Sequence, residues 1–139
     1  LGGLGLVLHL LALHLMLGAG HQASIGDDLR VARQARGDVL LFLHADNRLA
    51  PEAGAQLRRC LDDARVVAGA FRQKIAAPGL LFRVLEWGNA ARVRWRGLAY
   101  GDQAIFVRRA EFDQLGGFPQ LPLLEDYWLM RRLRGHVAL

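Results

Sequence analysis

Three acidic positions in this 139-residue sequence stand where carboxylates do chemistry. Asp46 closes the run VLLFLHAD, residues 39–46, just after five apolar residues in succession. Open α/β sheets bind ligands beyond the carboxyl ends of their strands. A hard divalent cation suits a carboxylate there, because Mg²⁺ or Mn²⁺ takes one or two protein carboxylates and completes its shell with phosphate oxygens and water. Asp46 with Asn47 equally suits an Asx turn, or a cap for a helix starting near Pro51. Glu125-Asp126 opens the last helical segment, and Asp126 shares the inward face with Leu129, Met130 and Leu133. A carboxylate at that edge can act as a general base when it lies within about 3 Å of the proton it removes. An acid favoured by the helix dipole is the simpler role for it. Asp102, in the loop Tyr100-Gly101-Asp102-Gln103, can bind ligand hydroxyls or the backbone amides of a turn.

The elements that must hold these residues read as alternating strands and helices. Residues 39–46 lack alternation, which marks a strand covered on both faces, as in a parallel sheet. Asp27 to Arg36 reads as a helix leading to Gly37-Asp38. Pro51-Glu52 starts a helix with Leu57, Cys60, Leu61 and Ala64 on one face and Arg58, Arg59 and Asp62 outward. Residues 66–71 form a short strand. After the break at Pro78-Gly79, Leu80, Leu81, Val84, Leu85, Gly88 and Ala91 recur at three- and four-residue steps. That spacing predicts an amphipathic helix over 80–95. Its other face carries Arg83, Glu86, Asn89, Arg92 and Arg94, with Trp87 and Trp95 along it. AIFV (104–107) is a strand, Ala110 to Leu115 a short helix stopped by Gly116-Gly117, Leu121 to Arg134 the last helix, and 137–139 a final strand. The order favours a mixed or parallel sheet with helices on its faces.

Composition excludes several classes. Lys and Arg total 18 against 13 Asp and Glu, a net charge of +5, and Lys74 is the only lysine. Hydrophobic residues at 53% supply a core and exclude a disordered chain. Cys60 stands alone, so neither an internal disulfide nor a cysteine metal cluster is possible, and a reducing compartment is the easier reading. The arginines are scattered without a dense run, which speaks against a nucleic-acid partner. There is no nucleophile elbow, phosphate-binding loop or dinucleotide fingerprint.

Residues 1–20 carry no charge and hold nine leucines. They form a segment distinct from the α/β region of 21–139. Their length suits a membrane helix. Five glycines, His9 and His14 and the lack of a leading basic residue stand against that, and the missing basic leading region stands against a signal peptide. A non-native start is the other reading. His9, His14 and His21 do not share one helical face, which leaves no metal site among them.

In order and spacing, VLLFLHAD (39–46), VVAGAFR (66–72), YGDQAIFVRR (100–109), FDQLGGFP (112–119) and LPLLEDYWLMRRLR (121–134) resemble family 2 glycosyltransferases. The closest likeness is to the bacterial subgroup with a Leu-His-Ala-Asp sequence, linked to arsenosugar biosynthesis. It runs over roughly residues 34–139, and the pairing of GGF with a downstream Glu-Asp helix start is its most specific part. The resemblance implies a GT-A type, Rossmann-like nucleotide-diphospho-sugar transferase that inverts at the anomeric carbon. Asp46 would hold Mg²⁺ or Mn²⁺ against the donor diphosphate, and Asp126 would be the catalytic base, supported by Glu125. Asp102 and Gln103 would sit on the sugar or acceptor side, together with His44. That histidine stands where the family's metal motif carries its first acid. The partners implied are a nucleotide-diphospho-sugar and an acceptor hydroxyl, at a cytoplasmic location or the inner face of the cytoplasmic membrane. Residues 1–33 show neither the family's opening strand nor its acidic nucleotide-binding loop, so the expectation is a domain incomplete at its N-terminus. The alternative is a non-catalytic remnant of such a domain, attached to a membrane through residues 1–20.

Overall fold

The apolar run Val39–Leu43 is a strand with every residue buried. Burial along the whole run needs cover on both faces, and the two faces feed separate clusters. Leu40 and Phe42 pack with Phe112, Phe118, Leu129 and Met130. Val39, Leu41 and Leu43 pack with Leu57 and Leu61. The computed structural model describes residues 9–12, 32–44, 47–119, 121, 124–133 and 135–139.

The elements run β1 (His9–Ala12), β2 (Val39–Leu43), α1 (Ala53–Leu61), β3 (Val66–Ala70) and α2 (Leu80–Arg96), then a 3₁₀ turn (Gly101–Gln103). After it come β4 (Ile105–Arg108), α3 (Arg109–Gln114), α4 (Glu125–Arg132) and β5 (His136–Ala138). The strands form one sheet in the order β1-β2-β4-β3-β5. β1 pairs parallel to β2, and β5 parallel to β3. β4 runs antiparallel between β2 and β3. The protein is thus mixed α/β. Because β4 runs against its neighbours, its first residue lies beside the carboxyl ends of both β2 and β3, where Phe42 and Ala70 each oppose Ile105.

Within the uncharged opening, residues 9–12 are extended and pair with Leu40–Leu43. For these four residues the structure shows a strand rather than a membrane helix, one of the two readings of the segment, because β2 offers its free edge to them. The remainder of 1–20 lies outside the described residues, as do 27–31 of the helix expected over 27–36. Residues 32–34 are helical. Arg109 ties down this region, donating from Nε to the Gly37 carbonyl at 2.6 Å, from NH2 to Ala35 at 2.9 Å and from NH1 to Ala32 at 3.3 Å. Arg108 does the same at the end of α1, donating to the carbonyls of Leu61 and Val66 at 2.7 Å each. Such a fork satisfies carbonyls that a helix end leaves without partners.

In α1, Leu57 and Leu61 are buried and Arg58 and Arg59 exposed, as the periodicity predicts. The helix stops at Leu61, so Ala64 lies beyond it and is exposed. β3 carries an irregularity between Val66 and Ala68, which turns Val67 and Ala68 to the same cluster. Gly69 sits where a Cβ would collide with the Phe106 ring and the Ala138 carbonyl, so a side chain there would force β3 away from its neighbours. The last helix begins at Glu125 rather than Leu121. Pro122 disfavours helical backbone at the residue before it, and Leu124 holds a left-handed φ of 63° at the N-cap.

The amphipathic pattern of α2 leaves open which stripe faces the protein, and the apolar one faces solvent: Leu80, Leu81, Val84 and Leu85 are all exposed and only Val93 is fully buried. The polar stripe turns inward instead. Glu86 accepts a hydrogen bond from the Ile75 amide, Asn89 donates to Gln73 at 2.8 Å, and Arg92 donates to Gln103 at 2.9 Å. These pairings with the 73–75 segment and the 3₁₀ turn fix the helix rotation.

Candidate functional site

The carboxyl ends of β2 and β3, the 3₁₀ turn before β4 and the start of α4 meet at one edge of the sheet. β2 delivers His44, whose carbonyl accepts from the Asn47 amide at 3.0 Å. β3 continues into Phe71, whose amide donates to the Gln103 carbonyl at 2.8 Å. The turn is thereby fastened to the strand end.

Gly101 is the centre of the cluster. Its amide donates to Asp126 Oδ2, and the other carboxylate oxygen, Oδ1, accepts from the Tyr127 amide at 2.6 Å. A Cβ on Gly101 would lie 2.6 Å from His44 Nε2 and 3.4 Å from Asp126 Oδ2. His44 and Asp126, distant in sequence, therefore flank the same glycine. The absence of a side chain at Gly101 is what lets the imidazole and the carboxylate approach the turn together. Two non-glycine residues in the left-handed region border this cluster, Ala104 at φ 51° just after the turn and Leu124 at φ 63° just before α4. Such backbone costs on the order of 1–2 kcal/mol per residue and persists where surrounding contacts enforce it. Here Ala104 is buried within the sheet and its amide donates to the Gly101 carbonyl at 3.3 Å.

A second layer of polar side chains braces the turn. Asn47 Nδ2 donates to the Asp102 carbonyl at 2.7 Å, and Gln73 Nε2 donates to Asp102 Oδ2 at 3.0 Å. Asn89 Nδ2 donates to Gln73 Oε1 at 2.8 Å, and Arg92 NH1 donates to Asn89 Oδ1 at 3.0 Å. Arg92 NH2 then reaches Gln103 Oε1 at 2.9 Å, which returns the chain of bonds to the turn. The Arg92 guanidinium also lies 4.1 Å over the Tyr100 ring, a cation–π contact that fixes its plane. Gln103 is buried, and its Oε1 also accepts from the Tyr100 amide at 3.3 Å. Two donors on Oε1 settle which end of the amide is the oxygen. Its Nε2 has no hydrogen-bond partner among the described residues.

Of the residues singled out in the sequence, His44, Asp102, Gln103 and Asp126 come together at this edge. Glu125 stands beside Asp126 in the first turn of α4, half-buried and without a side-chain hydrogen bond among the described residues. Asp46 lies outside the described residues. Gln73, Asn89, Arg92 and Tyr100 were not singled out as site residues. The one sequence signal for them is the polar stripe of α2, since Gln73 and Tyr100 stand in segments without periodicity.

The carboxylate of Asp126 is held by one N–H on each oxygen, which leaves further lone pairs free to accept a proton or a hydroxyl. The exposed carboxylate of Asp102 can receive ligand hydroxyls on its outer side. Among the described residues no three His, Cys, Asp or Glu side chains converge as a closed metal centre. The described carboxylates at this strand end are those of Asp102 and Asp126; a hard ion such as Mg²⁺ takes only one or two carboxylates and fills its shell with phosphate oxygens and water. The clearest titration shifts lie elsewhere. At the opposite, amino end of β3, hydrogen bonds from Arg65 hold the Asp63 carboxyl down at about 2. Burial pushes the nearby Cys60 thiol up, which makes it a poor nucleophile. No protein-family model matches the sequence, and no curated protein matches it.

Proposed function

We propose that this chain is the catalytic region of an inverting family 2 glycosyltransferase of the GT-A, Rossmann-like kind. It would move a sugar from a nucleotide-diphospho-sugar to an acceptor hydroxyl. One observation carries the reading. The Asp126 carboxylate, the Gly101 amide and the His44 ring meet at the carboxyl end of β2, although they come from three separate motifs of the resemblance. Ligand chemistry in α/β sheets belongs at that end of the strands.

In this mechanism Asp126 takes the proton from the acceptor hydroxyl as its oxygen attacks the anomeric carbon, opposite the departing diphosphate. The amides of Gly101 and Tyr127 hold the carboxylate in place for that transfer. Glu125 adds negative charge beside it. Asp102, braced by Gln73, orients hydroxyls of the sugar or acceptor, and the buried Gln103, braced by Arg92, holds the turn that carries Asp102. Asp46, with His44 two residues before it, would hold Mg²⁺ or Mn²⁺. Such an ion, if bound, would supply charge neutralisation for the leaving diphosphate.

Calorimetric titration of UDP and GDP, with and without Mn²⁺, tests the reading. Metal-dependent heat with one of them is the expected result. Asp126→Asn should keep that binding while donor turnover to water or acceptor falls by about 10²–10⁴-fold, the range for loss of a positioned base. The absence of metal-dependent heat with either nucleotide would overturn the proposal for this chain.

A further inference from the structure

Because α2 turns its polar side toward the site, it presents an apolar stripe to solvent. Leu80, Val84, Trp87, Ala91 and Trp95 follow one another at three- and four-residue steps, with Leu81 and Leu85 alongside. Exposure is 79% at Leu80, 68% at Leu81, 60% at Trp87 and 72% at Trp95. The two indoles pack edge to face with ring centroids 6.2 Å apart. A contiguous apolar surface of this kind marks an interaction site, whereas singly scattered apolar residues do not.

The charges around the stripe select the occupant. The only acid of the helix, Glu86, is turned inward, accepting from the Ile75 amide and pairing with Arg83 at 3.1 Å. Arg83, Arg94 and Arg96 are exposed, and Lys74 and Arg72 are exposed in the segment that leads to the helix. Every solvent-facing charge on α2 is therefore positive. At 100° per residue Arg83 and Arg94 border one side of the stripe and Arg96 the other, which leaves no carboxylate within it. Leucines and tryptophans on one face, with arginines at its margins, are the pattern of a helix lying in the plane of a lipid interface. The helix has 17 residues, and no described helix is long and apolar enough to cross a membrane. A helix lying flat has no need to.

We propose that the outer face of α2 docks the protein on an anionic lipid membrane, with Leu80, Leu81, Trp87 and Trp95 in the headgroup layer and Arg94 and Arg96 on the lipid phosphates. This docking is independent of residues 1–20 and of nucleotide binding. The test is co-sedimentation of the full chain with vesicles of phosphatidylcholine alone and of phosphatidylcholine mixed with phosphatidylglycerol. Binding is expected to be strong only on the mixed vesicles. Each arginine near an anionic surface is worth about fivefold in partitioning, so the double variant Arg94→Gln/Arg96→Gln should lose about thirtyfold. Leu81→Gln/Trp95→Gln should abolish binding, with a melting temperature equal to or above that of the wild type because both positions are exposed. Vesicle binding that survives Leu81→Gln/Trp95→Gln would place the contact in another segment and overturn the proposal. So would equal binding to both vesicle types, or none to either. A solution mass of two chains that Leu81→Gln/Trp95→Gln halves would make the occupant a second copy, and would equally overturn it.

Discussion

Replacing Asp126 by asparagine separates the structural work of this carboxylate from its proposed chemistry. Asparagine has the shape of aspartate, and if Asp126 capped α4 by itself the exchange would cost little. The N-cap position, however, belongs to Leu124. Asp126 accepts one hydrogen bond on each oxygen, from the Gly101 amide and the Tyr127 amide. An asparagine side chain has one oxygen and one NH₂. Whichever way it is turned, one backbone N–H loses its acceptor and faces another donor. A half-buried donor left without its charged acceptor costs about 1–3 kcal/mol. At about 2.1 cal/mol/K of unfolding entropy per residue, this chain loses roughly 3 °C of melting temperature for each kcal/mol. Asp126→Asn should therefore melt about 3–10 °C below the wild type. Glu125→Gln is the control, since Glu125 makes no side-chain hydrogen bond among the described residues and should melt within about 2 °C of the wild type. Thermal unfolding of the three proteins, followed by circular dichroism at neutral pH, measures both. If Asp126→Asn melts together with the wild type, or if Glu125→Gln falls equally far, the bonds to Gly101 and Tyr127 do not hold the carboxylate, and its fixed position next to the turn is wrong.

Two glycines should respond differently to alanine. At Gly69 the new Cβ meets the Phe106 ring and the Ala138 backbone, so the sheet must shift and stability should fall by about 1–3 kcal/mol. At Gly101 it meets the end of the exposed His44 side chain, so melting should change little while metal-dependent nucleotide binding weakens. Arg109→Lys should destabilise the protein nearly as much as Arg109→Met, because one ammonium cannot span the three carbonyls that the guanidinium reaches, and denaturant unfolding of both variants checks this. The Asp63 carboxyl stays charged down to about 2 in the folded protein, against 3.8 as its ordinary value. Its depressed value means that the pair with Arg65 contributes fully above pH 3.8 and is lost as pH falls through about 2. The melting temperatures of the wild type and Arg65→Met should converge across that window, and a gap that persists below it would refute the assignment.

How far the sequence alone leads depends on the range of the interaction. The apolar run 39–43, the face of α1 with Leu57 and Leu61, and the inward placement of Asp126 follow from local periodicity, and all three hold in the structure. Composition likewise suffices for a core and excludes a disulfide framework. The strand at His9–Ala12 was invisible within an uncharged leucine-rich stretch, because hydrophobicity without alternation does not tell a strand from a helix. Its pairing with β2 settles the matter for these four residues.

Apart from the strand at His9–Ala12, the sequence by itself determined which described segments are helix or strand and that Asp126 stands at a helix start. Those properties depend on backbone periods of 2 and 3.6 residues, which a short window contains. Tertiary structure decided the rest. It inserted β4 antiparallel between β2 and β3, which brings the Gly101 turn to the ends of both strands. It closed the ring of hydrogen bonds through Asp102, Gln73, Asn89, Arg92 and Gln103 from three segments. And it set the rotation of α2. The periodicity of that helix defines an apolar and a polar stripe but not which one faces the protein. The partners of Glu86, Asn89 and Arg92, distant in the chain, turned the polar stripe inward and left the tryptophans and leucines facing out.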